Sequence, residues 1–157
     1  MRKEPMQTLP YRPCVGIMLI NEDQQIFTAE RIDTPGAWQM PQGGIDEGES
    51  PLDAARRELE EETSIPASGV TVLKQTRDWL TYDLPDHLVG RAWGGRYRGQ
   101  KQQWFLMKLG IDTAAVDLRT EHQEFSRWKW STRTELVNEI VPFKKHVYAQ
   151  LVTEFLG

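Results

Sequence analysis

The segment GGIDEGESPLDAARRELEEETSI, from Gly43 to Ile65, carries the strongest structural signal in the chain. Its second half predicts a helix. Ser50 is a good N-cap, Pro51 is favoured at the first helical position, and Asp53 completes a capping-box-like pattern. Leu52, Ala55 and Leu59 recur at i, i+3 and i+7 and mark the stripe to be buried. Pro66 limits the helix to about Thr63. Glu58, Glu61 and Glu62 then share one helical face. Like charges at this spacing cost a few tenths of a kcal/mol per pair, so something must offset them. Two readings account for the repulsion: a solvated acidic face, or a hard divalent cation such as Mg²⁺, which takes oxygen ligands.

Outward from the helix, Cys14–Ile20 is a short apolar run suited to a buried strand. Asn21–Gln24 is a turn, and Ile26–Arg31 pairs back as a second strand. Trp38–Met40 is a short extended piece ended by Pro41. Val70–Arg77 and Trp79–Leu84 read as a pair of strands closed by Pro85-Asp86. Residues 86–99 form a Gly-rich, basic connection. Gln102–Leu109 and Phe125–Trp130 are further strands, and Thr132 and Glu135 frame a capping box. An amphipathic helix starts near Pro142, with Val147, Leu151 and Phe155 every four residues. A mixed sheet with one helix in mid-chain and another at the end predicts a single α/β domain over residues 1–157, with helices on both faces of the sheet. Residues 1–10 are expected to form a flexible tail.

The 157 residues are 39% apolar and 27% charged, a globular balance that excludes collagen-like or disordered chains. The longest apolar stretch has seven residues, far short of the roughly 20 of a membrane span. One Cys excludes an intrachain disulfide and a Cys-based zinc site. The N-terminus lacks the apolar segment of a signal peptide, so a cytoplasmic location is expected. The segment Gly43–Ser64 is net −6 in a chain of net −4, so the remainder is net +2. His87–Ile111 contains no acid but holds Arg91, Arg96, Arg98, Lys101 and Lys108. Cations and anions bound side by side would use such a division. Charge alone more simply fits two solvated faces of opposite sign.

The spacing Gly43, five residues, Glu49, seven residues, Arg57-Glu58-Leu59-Glu60-Glu61-Glu62-Thr63-Ser64-Ile65 resembles the Nudix box at every fixed position but one. The family's last Gly is Ser64 here. Further blocks resemble the bacterial RNA pyrophosphohydrolases and plant-type dinucleoside polyphosphate hydrolases within that family. They are Tyr11–Gly16, Trp38–Gly44, Trp79–Pro85, Gly99–Phe105, Glu124–Trp128 and Pro142–Tyr148.

The resemblance implies an α/β/α sandwich that hydrolyses phosphoanhydride bonds with two or three Mg²⁺ ions, for which Mn²⁺ or another divalent cation can substitute. It implies metal ligation and catalysis by Glu58, Glu61, Glu62 and Glu124, with the Gly43 carbonyl as a further ligand. Glu49 and Arg57 would pair to support the loop. Arg12 and Gln100 match phosphate-contacting positions, and Tyr82 one near the phosphate chain. Val141, Phe143 and Lys144 match a nucleobase pocket, and Ala37, Lys101 and Gln103 are the other substrate-contacting positions implied. Gln103 stands where enterobacterial members carry Lys, and Ile32 where some carry Arg. Arg91, Arg96, Arg98 and Lys101 could compensate for that lost charge.

The expected substrate is a triphosphorylated RNA 5′ end, cleaved to a monophosphate with release of pyrophosphate. The alternative is a dinucleoside polyphosphate such as diadenosine tetraphosphate, cleaved to ATP and AMP. DNA and membranes are not expected partners. A non-catalytic nucleotide-binding module is the remaining class, but such modules typically lose box carboxylates. Ser64 either takes a left-handed conformation at a cost of about 1–2 kcal/mol or ends the helix differently.

Overall fold

The computed structural model describes residues 9–157, so most of the expected 1–10 tail lies outside the described residues. Eight strands join in one mixed sheet. They are β1 (Tyr11–Ile20), β2 (Ile26–Arg31), β3 (Trp38–Gln39), β4 (Gln42–Gly44), β5 (Val70–Gln75), β6 (Leu80–Asp83), β7 (Gly99–Leu109) and β8 (Phe125–Ser131). The main path runs β3-β2-β1-β7-β5, while β4 joins β1, β6 joins β7 and β8 joins β2. The helices are α1 (Pro51–Thr63), α2 (Arg133–Glu139) and α3 (Lys145–Leu156).

β1 and β7 run parallel through ten paired positions, from Tyr11 against Gly99 to Ile20 against Lys108. β1 therefore starts before the apolar run: its first residues are recruited by β7 rather than by hydrophobicity. On its other side β1 pairs with β4 at Cys14–Gly16 and with β2 only at Ile20. The change of partner opens a gap that β4 lines with the backbone of Gly43 and Gly44.

One correction concerns β5 and β6. The sequence predicts that they pair with each other, but both pair with β7, β5 against its end and β6 against its start. Thr76 separates the two registers: its hydroxyl accepts from the Trp104 N–H at 3.0 Å and its own N–H donates to the Trp104 carbonyl.

The sheet buries a core on each face. Val15, Ile17, Leu19, Phe27, Phe105 and Met107 pack against Ala54, Ala55 and Leu59 of α1. Leu52 of the expected stripe is only half-buried, and Ala54 takes its place. The opposite face packs Met18, Met40, Trp104 and Leu106 against Leu136 of α2 and Val147, Tyr148, Leu151 and Phe155 of α3. Full burial of one such Phe, Leu or Met side chain stabilises by about 1.5–3 kcal/mol. The Tyr148 hydroxyl accepts from the Met40 N–H at 3.0 Å, which fixes α3 beside the strand that leads to Gly43.

Candidate active site

α1 begins as its sequence requires. The Ser50 hydroxyl accepts from the Asp53 N–H at 3.2 Å, and Pro51 opens the first turn. It ends at Ser64, whose φ of 68° and ψ of 7° are left-handed. Ser64 thus takes the conformation a glycine adopts freely, and its hydroxyl donates to the Asp117 carbonyl at 2.7 Å.

The three box carboxylates share a face but not an environment. The Glu61 side chain is 57% exposed and that of Glu58 14%, while Glu62 is buried. Burial pushes the Glu58 carboxyl up to about 7, with Glu61 and Glu124 adding to the shift and Arg57 opposing it. Glu62 is pushed well above the usual carboxylate range, first by burial and then by the neighbouring Glu124 carboxylate. Glu62 Oε2 accepts from the Gln42 N–H at 3.2 Å, while its Oε1 is buried without a hydrogen-bond partner.

Arg57 binds this cluster to the preceding loop. Its Nε and Nη2 donate to both oxygens of Glu49 at 2.9 Å, and Nη2 also donates to the Gly44 carbonyl. Its Nη1 reaches Glu58 at 2.9 Å and Glu61 at 3.2 Å. Arg57 hydrogen bonding lowers the Glu49 carboxyl to about 2. A Cβ on Gly43 would overlap the Glu58 carboxylate, so only glycine lets the two approach. Among the described residues no three His, Cys, Asp or Glu side chains already converge to hold an ion. The Arg57 guanidinium spans Glu58 and Glu61. The unpaired buried oxygen of Glu62 and the crowding of four carboxylates nonetheless fit a hard divalent cation.

Two cavities meet at these residues. The larger, about 650 Å³, is lined by Arg12, Gly43, Glu58, Tyr82, Gln100, Glu124, Val141, Phe143 and Lys144 from the expected set. The other, about 510 Å³, is bordered by Glu58, Glu61, Glu62 and Glu124 together with Ser64 and His122. Glu58 and Glu124 border both. The loop before β8 is held close by the Ile32 N–H, which donates to the Glu124 carbonyl at 3.0 Å.

Strand register assembles the large cavity. Arg12 lies opposite Gln100, and Gln100 opposite Tyr82, in a row across β1, β7 and β6. Phe143 packs against Tyr82 with ring centroids 5.5 Å apart. The Lys144 ammonium lies 5.3 Å from the Tyr82 ring centre, and burial brings its pKa down to about 8.

Ala37, Lys101 and Gln103 do not line this cavity. Successive strand residues face opposite ways, so Gln100 excludes Lys101 and Gln103 from its own face. Lys101 lies over the Trp79 ring, and Gln103 accepts from Gln75. Arg91, Arg96 and Arg98 also lie outside the lining, Arg98 being paired with Asp83. Sequence reasoning missed Arg31, Asp33, Gln39, Gln42 and Trp93, all of which line the cavity. The guanidinium comes from Arg31, immediately before Ile32, which is itself 49% exposed. The run Gln39-Met40-Pro41-Gln42, with two polar side chains around an apolar pair, was a usable signal; in the structure Gln39 Nε2 and Gln42 Oε1 are buried without partners. For Trp93 the sequence offered none.

The NUDIX domain profile matches residues 10–151, and the chain belongs to that family. An RNA pyrophosphohydrolase from Cereibacter sphaeroides is 59% identical over 150 residues, covering 94% of this chain and 92% of that protein. One from Sphingopyxis alaskensis is 52% identical over 148 residues, covering 94% of each. Among solved structures, the E. coli dihydroneopterin triphosphate pyrophosphohydrolase superposes with a TM-score of 0.69 at 21% identity, over 92% of this chain and 99% of that one. A C. elegans Ap4A hydrolase gives 0.68 at 21%, over 92% and 97%. The α/β fold with helices on both sheet faces is that of Nudix hydrolases, which generally need divalent metal ions. No helix among the described residues is long and apolar enough to cross a membrane.

Proposed function

We propose that this chain hydrolyses the phosphoanhydride bonds of triphosphorylated RNA 5′ ends, leaving a 5′-monophosphate and releasing pyrophosphate. The observation that carries this reading is the shared border of the two cavities. A pocket holding Arg12, Arg31 and Lys144 opens on carboxylates that suit a cation, with Glu58 and Glu124 common to both. Relatives named for this activity align over nearly the whole chain.

Glu58, Glu61, Glu62 and Glu124, with the Gly43 carbonyl, would hold two or three Mg²⁺ ions, and Mn²⁺ would serve in their place. Such ions neutralise phosphate charge and acidify the attacking water. The chain's own residues do the rest. Arg12 and Gln100 orient the phosphates beside Tyr82, the ammonium of Lys144 adds positive charge from the base pocket, and catalysis becomes positioning plus electrostatics. Phe143 with Val141 and Lys144 holds a base; stacking of this kind contributes about 1–3 kcal/mol per base. One carboxylate among Glu58, Glu61, Glu62 and Glu124 acts as general base: it takes a proton from the water that attacks phosphorus as the phosphoanhydride bond breaks and pyrophosphate leaves. Glu49 and Arg57 keep the loop on α1. The single domain acts in the cytoplasm, and its partner is the nucleotide substrate.

The deciding experiment compares hydrolysis of a triphosphorylated oligoribonucleotide and of diadenosine tetraphosphate at matched Mg²⁺. Preference for the RNA end, with pyrophosphate released, supports the proposal. Preference for the dinucleotide, with ATP and AMP formed, replaces it with the alternative substrate.

A further inference from the structure

Gln100, Gln102 and Trp104 stand two residues apart on one face of β7, all buried. The Trp104 Nε1–H donates to Gln102 Oε1 at 2.8 Å, and Gln102 Nε2 donates to Gln100 Oε1, also at 2.8 Å. An indole N–H can only donate, whereas a glutamine amide can be turned either way. Trp104 therefore decides the orientation of Gln102, whose NH₂ must then meet an oxygen. That requirement turns the Gln100 oxygen inward and leaves its NH₂ with no acceptor among the described residues. Gln100 lines the large cavity.

The starting point of this chain of bonds is firmly held. Gly16 lies opposite Trp104, and a Cβ there would come within 2.5 Å of the indole ring. Tyr148 of α3 packs edge-on with its centroid 5.9 Å from that of Trp104. Reversing Gln100 alone would set two NH₂ groups face to face in a buried place, with neither satisfied.

We propose that Trp104 and Gln102 are positioning residues that fix the polarity of Gln100, so that it presents hydrogen-bond donors, and not its carbonyl oxygen, to the phosphate chain. Resting on the reading of the cavity as a phosphate site, this makes an aromatic residue in the core a determinant of what the cavity accepts. A Gln100 free to flip would present an acceptor part of the time and repel phosphate oxygens.

The test uses Gln102→Glu, which keeps the shape but only accepts. Its carboxylate still takes the Trp104 N–H and also accepts from Gln100, so Gln100 turns its oxygen outward. KM for a triphosphorylated dinucleotide is expected to rise at least tenfold with kcat within threefold. In a Gln100→Leu background the same change is expected to add less than twofold. Trp104→Phe, which removes the donor without adding charge, is expected to raise KM two- to threefold. As a readout apart from turnover, tripolyphosphate without metal is titrated while the Gln100 side-chain NH₂ signals are followed by NMR. They move in the wild type and stay in place in Gln102→Glu. An unchanged KM in Gln102→Glu, or an equal penalty in the Gln100→Leu background, overturns the relay. A wild type that neither binds tripolyphosphate nor cleaves the RNA end overturns the functional reading as well, and so tells the two failures apart.

Discussion

The Arg12 guanidinium lies 5.6 Å from the centre of the Trp93 ring. Trp93 holds that position at φ 51° and ψ 38°, a left-handed conformation that is rare for a bulky residue. No carboxylate among the described residues pairs with Arg12, unlike Arg31, Arg57, Arg98 and Arg127. On its other side Arg12 packs where a Gly44 Cβ would come within 2.6 Å of Nη2. Its Nη1 donates to the Cys14 thiol at 3.5 Å, a neutral partner, so Arg12 is a cation held by an aromatic face, a thiol and a bare backbone, with its charge left for a ligand.

Trp93→Leu is expected to raise KM for triphosphorylated RNA three- to tenfold, because a cation–π contact of about 0.5–2 kcal/mol no longer fixes the guanidinium. Trp93→Phe should keep most of the affinity. In an Arg12→Met background Trp93→Leu should add little. Steady-state kinetics on the four variants checks this, and full additivity would show that Trp93 acts independently of Arg12.

Glu62→Gln should lower turnover by two or more decades while the protein stays folded. Without divalent metal its melting temperature should rise, since a buried, half-satisfied carboxyl beside Glu124 is replaced by a neutral amide whose oxygen can still accept from Gln42. Calorimetry with and without Mg²⁺ reads both effects. Near-wild-type turnover at saturating Mg²⁺ contradicts the ligand assignment.

Lys144 predicts how stability depends on pH. Its pKa falls from 10.5 to about 8 on folding, chiefly through burial and next through Arg31, with Cys14 and Asp33 opposing. The unfolded chain therefore binds more protons than the folded one between these values, and stability from this group rises with pH across that window. Below about 8 the full cost applies, roughly 3 kcal/mol. Lys144→Met should raise the melting temperature at pH 7, have almost no effect at pH 10.5, and weaken tripolyphosphate binding. An equal change at both pH values would place the ammonium in contact with water.

Ser64 gives an ordering of three proteins. Ser64→Ala keeps the left-handed strain and loses the bond to Asp117, at a cost of about 0.5–1.5 kcal/mol. Ser64→Gly loses the bond but relieves a strain of about 1–2 kcal/mol, so it should lie within about 1 kcal/mol of the wild type and above the Ala variant. Both should speed amide exchange in the segment from Asp117 to Glu124. Denaturant melts giving Ala equal to or above Gly would remove the strain argument.

Much of this molecule is local and therefore readable in the chain. Ser50, Pro51 and Pro66 bracket α1 at its observed bounds, and the capping box at Thr132 forms as its two residues predict. The i,i+4 spacing brings Arg57 to Glu61 on one face of α1, whereas its pairing with Glu49 in the preceding loop was implied by the resemblance and forms as implied. Pairing was not readable: β6 bonds to β7 rather than β5 because register depends on both strands at once. Strand alternation turns Lys101 away from the cavity that its neighbour Gln100 lines, and Gln103 faces the same way as Lys101; Ala37, ahead of β3, also lies outside the lining. Arg31, Trp93 and the Gln102–Trp104 pair gain their meaning from neighbours across the sheet.

The parallel pair at the centre of the sheet joins Tyr11 to Gly99, 88 positions later. Closing a loop of that length must precede most of the contacts that reward it, which slows folding. At about 5–20 residues per second, β1 waits several seconds after synthesis for the strand that completes it. Throughout that interval its apolar run, Cys14–Ile20, has no parallel partner and β4 has only half a sheet to join. The central strand is thus the nascent chain's most exposed aggregation risk. Truncations that end between Ile65 and Leu109 should yield insoluble chains, although they carry the whole of Gly43–Ile65.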